Sequence, residues 1–338
     1  MLRVCGYCPY SAKGGVSADP IALTLQFKLA FNVVVRSYLT KEPYKSDPDN
    51  VLRIFLAPEW TFRQPDTEIE VEGRKRKVKQ FLAAGEMGVI LKELIKISAT
   101  AKDVLIVAGS ILWAIPGKIQ VNTKNGEVAE GVALVYNTTP ILCGGKIVHF
   151  YHKQFFGFDC SARNGQVFAF DPQGTTVGLS RMDSSPIKKN LSAITAKLKT
   201  KAVNLDREEL KAVDSNTFKH AGLHFGIEIC ADHCNQALVK ACAGSEEEVD
   251  VQILVSCGMR LFSDSIAARK GGVAIHIDGA NPKEANMKKI CFGWQSVTAV
   301  SKKGKKTLTP LEYIPDKKKF IGEHPRLSFI YEDLIELK

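Results

Sequence analysis

The sequence predicts an α/β fold with covered sheets, and three observations carry that prediction. Apolar runs of strand length recur along the chain, at 51–57 (VLRIFLA), 104–109 (VLIVAG), 223–230 (LHFGIEIC) and 250–256 (VQILVSC). Stretches of helical periodicity separate them, the clearest over 20–39. The run at 51–57 is apolar almost throughout and is bounded by Asp/Asn and Pro58, as a strand covered on both faces requires.

The elements follow in order. Residues 2–7 (LRVCGY) read as a short strand. Asp19-Pro20 is an N-cap followed by proline at the first helical position, where its missing N–H costs nothing. Over 20–39, Leu23, Phe27, Ala30, Phe31, Val34 and Tyr38 fall on one helical face. The strand at 51–57 comes next, then a helix near 85–101 and a strand at 104–109. Segments 131–137 and 146–152 read as strands, with Gly144-Gly145 as a turn between them. Residues 166–170 (QVFAF) read as a further short strand.

Residues 174–218 interrupt this rhythm. They are rich in Lys, Ser, Thr and Asn, with weak helical periodicity at 187–213, and are expected to form a surface insertion, a flap or lid. The rhythm resumes with strand 223–230, a helix near 234–243, strand 250–256 and a helix near 262–270. Strands at 272–277, 291–299 and 325–330 complete the expected set. A single domain over 1–338, carrying the insertion at 174–218, accounts for the pattern.

Composition narrows the function classes. Hydrophobic residues are 45% and charged residues 24% of the chain, which suits a large core without a disulfide or metal staple. The net charge of +10 is scattered in short runs such as Arg74–Lys77 and Lys317–Lys319. No aromatic residues interleave them as a nucleic-acid stacking surface needs, so solvated loops and hairpins are the expected setting. The nine cysteines are odd in number, and several lie in apolar stretches, which fits a reducing compartment. The N-terminus lacks a signal-peptide pattern, and no apolar stretch reaches the ~18 residues of a membrane helix. The expectation is a cytoplasmic protein with no membrane or nucleic-acid partner.

Three reactive residues sit at the ends of strand-like runs, where α/β proteins expose functional groups. They are Glu59 in FLAPEWTF, Lys153 in FYHKQFF and Cys230 in GIEICADHC. Singly, each has a bland alternative: a carboxylate at a strand end, a loop lysine, a core thiol. His152 beside Lys153 is a second candidate, but neighbouring strand residues point to opposite faces, so only one of the two can face a site. Asp232 is expected to be structural, holding the turn after Cys230 or a neighbouring backbone group.

In this order, the three motifs resemble the nitrilase superfamily of carbon–nitrogen hydrolases, which carries a Glu–Lys–Cys triad. VAGSI (107–111), VYNTTPILCGGKIVHFYHK (135–153), VQILVSCGM (251–259) and FGWQSVTAVSKKG (292–304) resemble further family segments. The resemblance implies a four-layer α-β-β-α sandwich, Cys230 as nucleophile, Glu59 as proton-transfer group, and Lys153 with an N–H near Ala231 as oxyanion donors. It also implies no cofactor, a small-molecule amide or ureide substrate, and a homodimer or larger assembly. The thiolate would be favoured by the lysine and by the start of the helix after Cys230.

Some features depart from the family pattern. A second glutamate after the lysine is missing, and Asp159 is the acid present in that stretch. Ala-Asp, rather than Trp-Glu, follows the nucleophile, which favours amides or ureides over nitriles. Position 278 is Asp where many relatives carry Asn. Trp60, Phe156, Asp159 and Met259 are the candidate substrate contacts; Trp60, Phe156 and Met259 are equally placeable in the core. Two other readings compete. A metal site would draw on His220, His224, Cys230, His233 and Cys234, or on the Cys5–Cys8 pair, but their spacing matches no regular zinc pattern. A non-catalytic scaffold with a basic surface would leave the reactive residues idle.

Overall fold

A computed structural model describes residues 1–8, 19–40, 48, 50–65, 67–71, 74–78, 81–117, 121–122, 128–129, 132–155, 167–170, 176–177, 215–245, 248–279, 296–300, 308–310, 327–330 and 337. In chain order the elements begin with β1 (Leu2–Cys8), α1 (Pro20–Thr40), β2 (Leu52–Leu56), β3 (Thr67–Val71), β4 (Arg74–Val78) and β5 (Leu82–Ala83). Then come α2 (Ala84–Ala99), β6 (Val104–Val107), β7 (Ile111–Gly117), β8 (Val121–Asn122), β9 (Val128–Ala129), β10 (Val132–Cys143) and β11 (Lys146–His152). The next group is β12 (Val167–Phe170), β13 (Thr176–Val177), β14 (Thr217–His220), β15 (Leu223–Ile229), α3 (Ala231–Cys234) and α4 (Ala237–Cys242). The last are β16 (Val249–Ser256), β17 (Ala268–Asp278), β18 (Ser296–Val300), β19 (Leu308–Pro310) and β20 (Leu327–Ile330).

Two sheets form the centre. The first runs β13-β12-β10-β6-β2-β1-β20, with β11 and β7 also paired to β10 and β5 paired to β7. The second runs β14-β15-β16-β17-β18-β19. The pairs β1–β2 and β2–β6 in the first sheet, and β15–β16 and β16–β17 in the second, are parallel.

Side-chain alternation explains the layers. Leu2, Val4, Ile54, Leu56, Leu105 and Val107 from the first sheet meet Phe225, Ile227, Ile229, Val251, Ile253, Val255, Val273, Ile275 and Ile277 from the second. Their neighbours in sequence, Cys5, Phe55, Ala57, Ile106 and Ala108, point the other way and pack under α1 and α2. Phe55 stands edge-on to both Phe27 and Phe31 of α1, with ring centroids 5.4 and 5.2 Å apart. On the far side of the second sheet, α4 lays Leu238 against Gly226, where a Cβ would sit 2.4 Å from a leucine methyl. The order is therefore α-β-β-α, the four-layer sandwich expected. The fourth layer is thin, made of two short helices and the chain around 260–267.

Local signals explain the boundaries. The Asp19 carboxylate accepts the Ile21 N–H at 2.9 Å and caps α1. Gly144 and Gly145 take positive φ (58° and 80°) in the two-residue turn that joins β10 to β11. The basic run at 74–77 forms β4, whose register sets Lys75 and Lys77 opposite Glu70 and Glu68 of β3. That is the hairpin setting expected of such a run.

Three expectations need correction. The stretch 174–218 is not surface insertion to its end: Thr217 and Phe218 lie in β14, paired to β15, and Asn216 and Phe218 are buried. The aromatic rings of Phe218 and Phe225 stack at 5.0 Å, which anchors this end in the core. Most of the remainder lies outside the described residues. The helix expected near 262–270 is a single 3-10 turn (Ser263–Ser265), and β17 already begins at Ala268. Gln252 causes this by accepting the Ala267 N–H at 2.7 Å, which draws the chain into the sheet. The helix expected near 234–243 starts earlier and breaks in two at Gln236, whose φ is 56°. Much of the strand expected at 291–299 lies outside the described residues, and β18 begins at Ser296. Among the described residues, no helix is long and apolar enough to cross a membrane.

Candidate active site

Glu59 lies just beyond β2, in a turn that the sheet holds on both sides. The Ala57 N–H reaches Val107 O, the Ser110 N–H reaches Pro58 O, and the Phe62 N–H reaches Ser110 O. Ser110 Oγ accepts the Trp60 N–H at 2.9 Å. Trp60 itself is in the left-handed region, with φ 62°. Gly109 makes this turn possible: at φ 76°, a Cβ there would lie 2.4 Å from Pro58 O and 2.5 Å from Thr61 Oγ1. Gly109→Ala is expected to cost about 3 kcal/mol, measurable as a lower urea midpoint, because strain and overlap act together.

The Glu59 carboxylate is 0% exposed, and the Lys153 side chain is 1% exposed. Lys153 Nζ donates to Glu59 Oε1 at 2.6 Å, and Asn137 Nδ2 donates to the same oxygen at 2.8 Å. Among the described residues the other oxygen, Oε2, is buried and accepts no hydrogen bond. Glu59 is thus a buried carboxyl group with one oxygen fixed by two donors and the other with no hydrogen bond among the described residues. Lys153 follows the last residue of β11, and its N–H is tied to Asn137 O at 2.9 Å. His152 turns away, with Nδ1 2.7 Å from Thr138 Oγ1.

Cys230 stands between β15 and α3 with φ 49° and ψ −104°. A non-glycine residue in such a conformation stores about 1–3 kcal/mol of strain, which the surroundings must hold in place. A sharp strand-to-helix elbow of this kind pushes a side chain out at the sheet end. The cysteine is 6% exposed. Its N–H donates to Val255 O at 2.9 Å, while the Glu59 N–H reaches the adjacent carbonyl, Ser256 O, at 3.3 Å. The end of β16 therefore holds both the cysteine and the glutamate segments. The helix after Cys230 is only four residues long. Its dipole is correspondingly small.

Asp232 is fully buried and accepts from Tyr151 Oη (2.7 Å), Gln154 N (3.0 Å), Phe155 N (2.6 Å) and Ile229 N (3.3 Å). Burial raises its carboxyl to about 7, against the pull of these donors and of the Lys153 charge. On the outer face of the same sheet, His233 Nε2 accepts the Phe262 N–H at 2.9 Å, so Nδ1 carries the proton that reaches Glu228 Oε2 at 2.6 Å. Asp278 Oδ2 accepts Ser256 Oγ (2.6 Å), Gly258 N (2.7 Å) and Met259 N (3.1 Å), fixing the turn after β16.

Of the expected substrate contacts, Trp60 is buried with the Arg63 guanidinium 4.9 Å above its ring. Met259 is half-buried at the end of β16 and packs on the inter-sheet core. Phe156 and Asp159 lie outside the described residues. His220 and His224 lie on the strands β14 and β15, and among the described residues no cluster of three or more His, Cys, Asp or Glu is arranged to hold a metal.

Asn137 was not anticipated. Its signal was a polar residue closing an apolar strand run (GVALVYN), which a buried position tolerates only with a partner. Asn216 and Tyr151 were likewise missed, since their partners lie far away in sequence.

No family model matches the chain, and no curated protein matches it. Among solved structures it is similar to Saccharomyces cerevisiae Nit3, a member of branch 10 of the nitrilase superfamily, at 13% identity over 94% of this chain and 96% of that one (TM-score 0.41). It is also similar to an amidase from Nesterenkonia sp. AN1 bearing the acetamide moiety of fluoroacetamide on its active-site cysteine. That match has 11% identity over 88% of this chain and 82% of the amidase (TM-score 0.43). A third is the glutamine-dependent NAD+ synthetase from Acinetobacter baumannii, at 12% identity over 99% of this chain (TM-score 0.42), where the chain spans 48% of the synthetase.

Proposed function

We propose that this chain is a thiol-dependent hydrolase of a non-peptide carbon–nitrogen bond, an amide or ureide, with Cys230, Glu59 and Lys153 as its working residues. The observation that carries the reading is the Glu59 carboxylate. Lys153 and Asn137 saturate Oε1, Oε2 is buried without a hydrogen bond among the described residues, and the strained Cys230 elbow shares its anchor strand.

The chemistry follows from these positions. Glu59 Oε2 takes the thiol proton as the sulfur attacks the amide carbon, forming the C–S bond. The carbonyl oxygen becomes an oxyanion, held by the Lys153 ammonium and by the N–H of Ala231, which opens a helical turn and so has no acceptor within it. Glu59 returns the proton to the nitrogen, the C–N bond breaks, and an amine or ammonia leaves a thioester on Cys230. Water then gives its proton to Glu59 and adds to the thioester, and the carboxylic acid departs as the thiol is restored. Trp60 and Met259, together with Phe156 and Asp159, are the proposed substrate contacts.

The test is ammonia release from a panel of small amides and ureides, with the mass of the intact protein followed in parallel under iodoacetamide. Wild type is expected to label first at Cys230, and Cys230→Ala is expected to abolish release. Unchanged release by Cys230→Ala would end the reading.

A further inference from the structure

We propose that Asp232 is a positioning residue that clasps the Lys153 segment to the Cys230 elbow; the inference rests on Cys230 and Lys153 working together as described above. One carboxylate makes the connection. Its Oδ1 accepts the N–H groups of Gln154 and Phe155, the two residues after Lys153. Its Oδ2 accepts the hydroxyl of Tyr151, two residues before Lys153, and the N–H of Ile229, the residue before Cys230.

The lysine is thereby gripped on both sides while its own side chain points to Glu59. A second set of bonds closes the grip. Asn216 Nδ2 donates to Tyr151 Oη at 3.0 Å, Gln154 Nε2 donates to Asn216 Oδ1 at 2.7 Å, and the Ile227 N–H reaches Asn216 O at 2.8 Å. Asp232, Tyr151, Asn216 and Gln154 so form a ring that joins β11, the start of β14 and α3.

The need for such a clasp is chemical. Lys153 and Cys230 come from different sheets, and the ammonium must meet an oxyanion whose place the sulfur dictates. A misplacement of about 1 Å costs on the order of a hundredfold in rate. The donors to Asp232, namely the Tyr151 hydroxyl and the Gln154, Phe155 and Ile229 amides, flank Lys153 and Cys230 in sequence. Asp232 is a buried acceptor group that both segments share, which ties their separation to one side chain.

The experiment follows amide hydrogen exchange and Cys230 alkylation by iodoacetamide in wild type, Asp232→Asn, Asp232→Ala and a core control, Ile97→Ala. Ile97 is buried under α2, in the other core. In wild type, the Gln154, Phe155 and Ile229 amides are expected to be protected. Asp232→Ala should speed their exchange about ten- to a hundredfold, as the loss of a buried acceptor implies. It should also slow Cys230 alkylation at least about tenfold beyond the control. Asp232→Asn, which keeps one acceptor oxygen, should fall between, and it decides the matter if Asp232→Ala does not fold.

Exchange and alkylation in the Asp232 variants no different from Ile97→Ala would overturn the clasp, as would unprotected amides in wild type. If wild-type Cys230 labels no faster than the exposed Cys234, the proposed function fails, and amide exchange still decides whether the clasp exists.

Discussion

The double variant Glu59→Gln, Lys153→Met should be more stable than either single variant and no more active than the weaker of them. Both partners are buried, and their bond is 2.6 Å long. Removing one leaves the other charged and uncompensated in a dry setting, which costs about 3–5 kcal/mol. Removing both takes away the charges together. The amide oxygen of the introduced glutamine would still accept from Asn137 Nδ2, and the methionine would fill the path of the lysine stem. Most of the lost stability should then return, read as recovery of the urea midpoint. Catalysis should not return. Loss of the proton carrier removes about 10²–10⁴ in rate, and loss of an oxyanion donor about 10²–10³. Equal urea midpoints for the double and single variants would show that the pair is not ionised in the folded protein.

The second large effect concerns pH. Wild type should lose a stability term as pH rises from about 4 to about 7, and Asp232→Asn should lack that term. Burial lifts the Asp232 carboxyl from an ordinary value near 3.8 to about 7. Between those values the folded chain holds a proton that the unfolded chain has released. Folding there takes up a proton, so rising pH opposes it. That stability is fully present below the unfolded value and fully lost above the folded one, a loss of about 4 kcal/mol. The charged groups facing it are Lys153, with Glu228 beyond Tyr151. His276 and His149 act with opposite sign, since burial lowers both, His276 to about 4. They contribute stability that is lost as pH falls through the same window. Both proteins share these histidines, so the difference between the two urea-midpoint profiles isolates Asp232. Parallel profiles would mean that Asp232 stays ionised throughout.

How much of this was legible in the sequence differs by level. The strands of both sheet centres could be read because their apolar runs are short and bounded, as at 51–57 and 250–256. The start of α1 could be read because Asp19-Pro20 acts within one turn. The helix expected near 262–270 failed because Gln252, on a neighbouring strand, redirects that segment into β17. The positions of Glu59, Lys153 and Cys230 were visible as reactive types at run ends. The parts that hold them were not. Asn137, Tyr151 and Asn216 gain their meaning from side-chain partners 62 to 81 positions away, and no local pattern carries such a pairing. Asp232 was expected to hold its turn or a neighbouring backbone group, and it accepts from the Ile229, Gln154 and Phe155 amides; that two of these follow Lys153 depends on the packing of one sheet upon the other.

The pairing of β1 with β20 has a bearing on how the molecule is made. Cys5 lies opposite Ile330 and Cys8 opposite Leu327, so β1 shares an edge with a strand that is synthesised long after it. Until that late segment arrives, one side of β1 offers unpaired N–H and C=O groups that another chain can capture. Such contacts between distant parts of a chain also form slowly. Synthesis therefore passes through a period in which β1 can pair with β2 but not yet with β20. In that interval a nascent chain of this fold is most open to chaperones, and to other copies of itself.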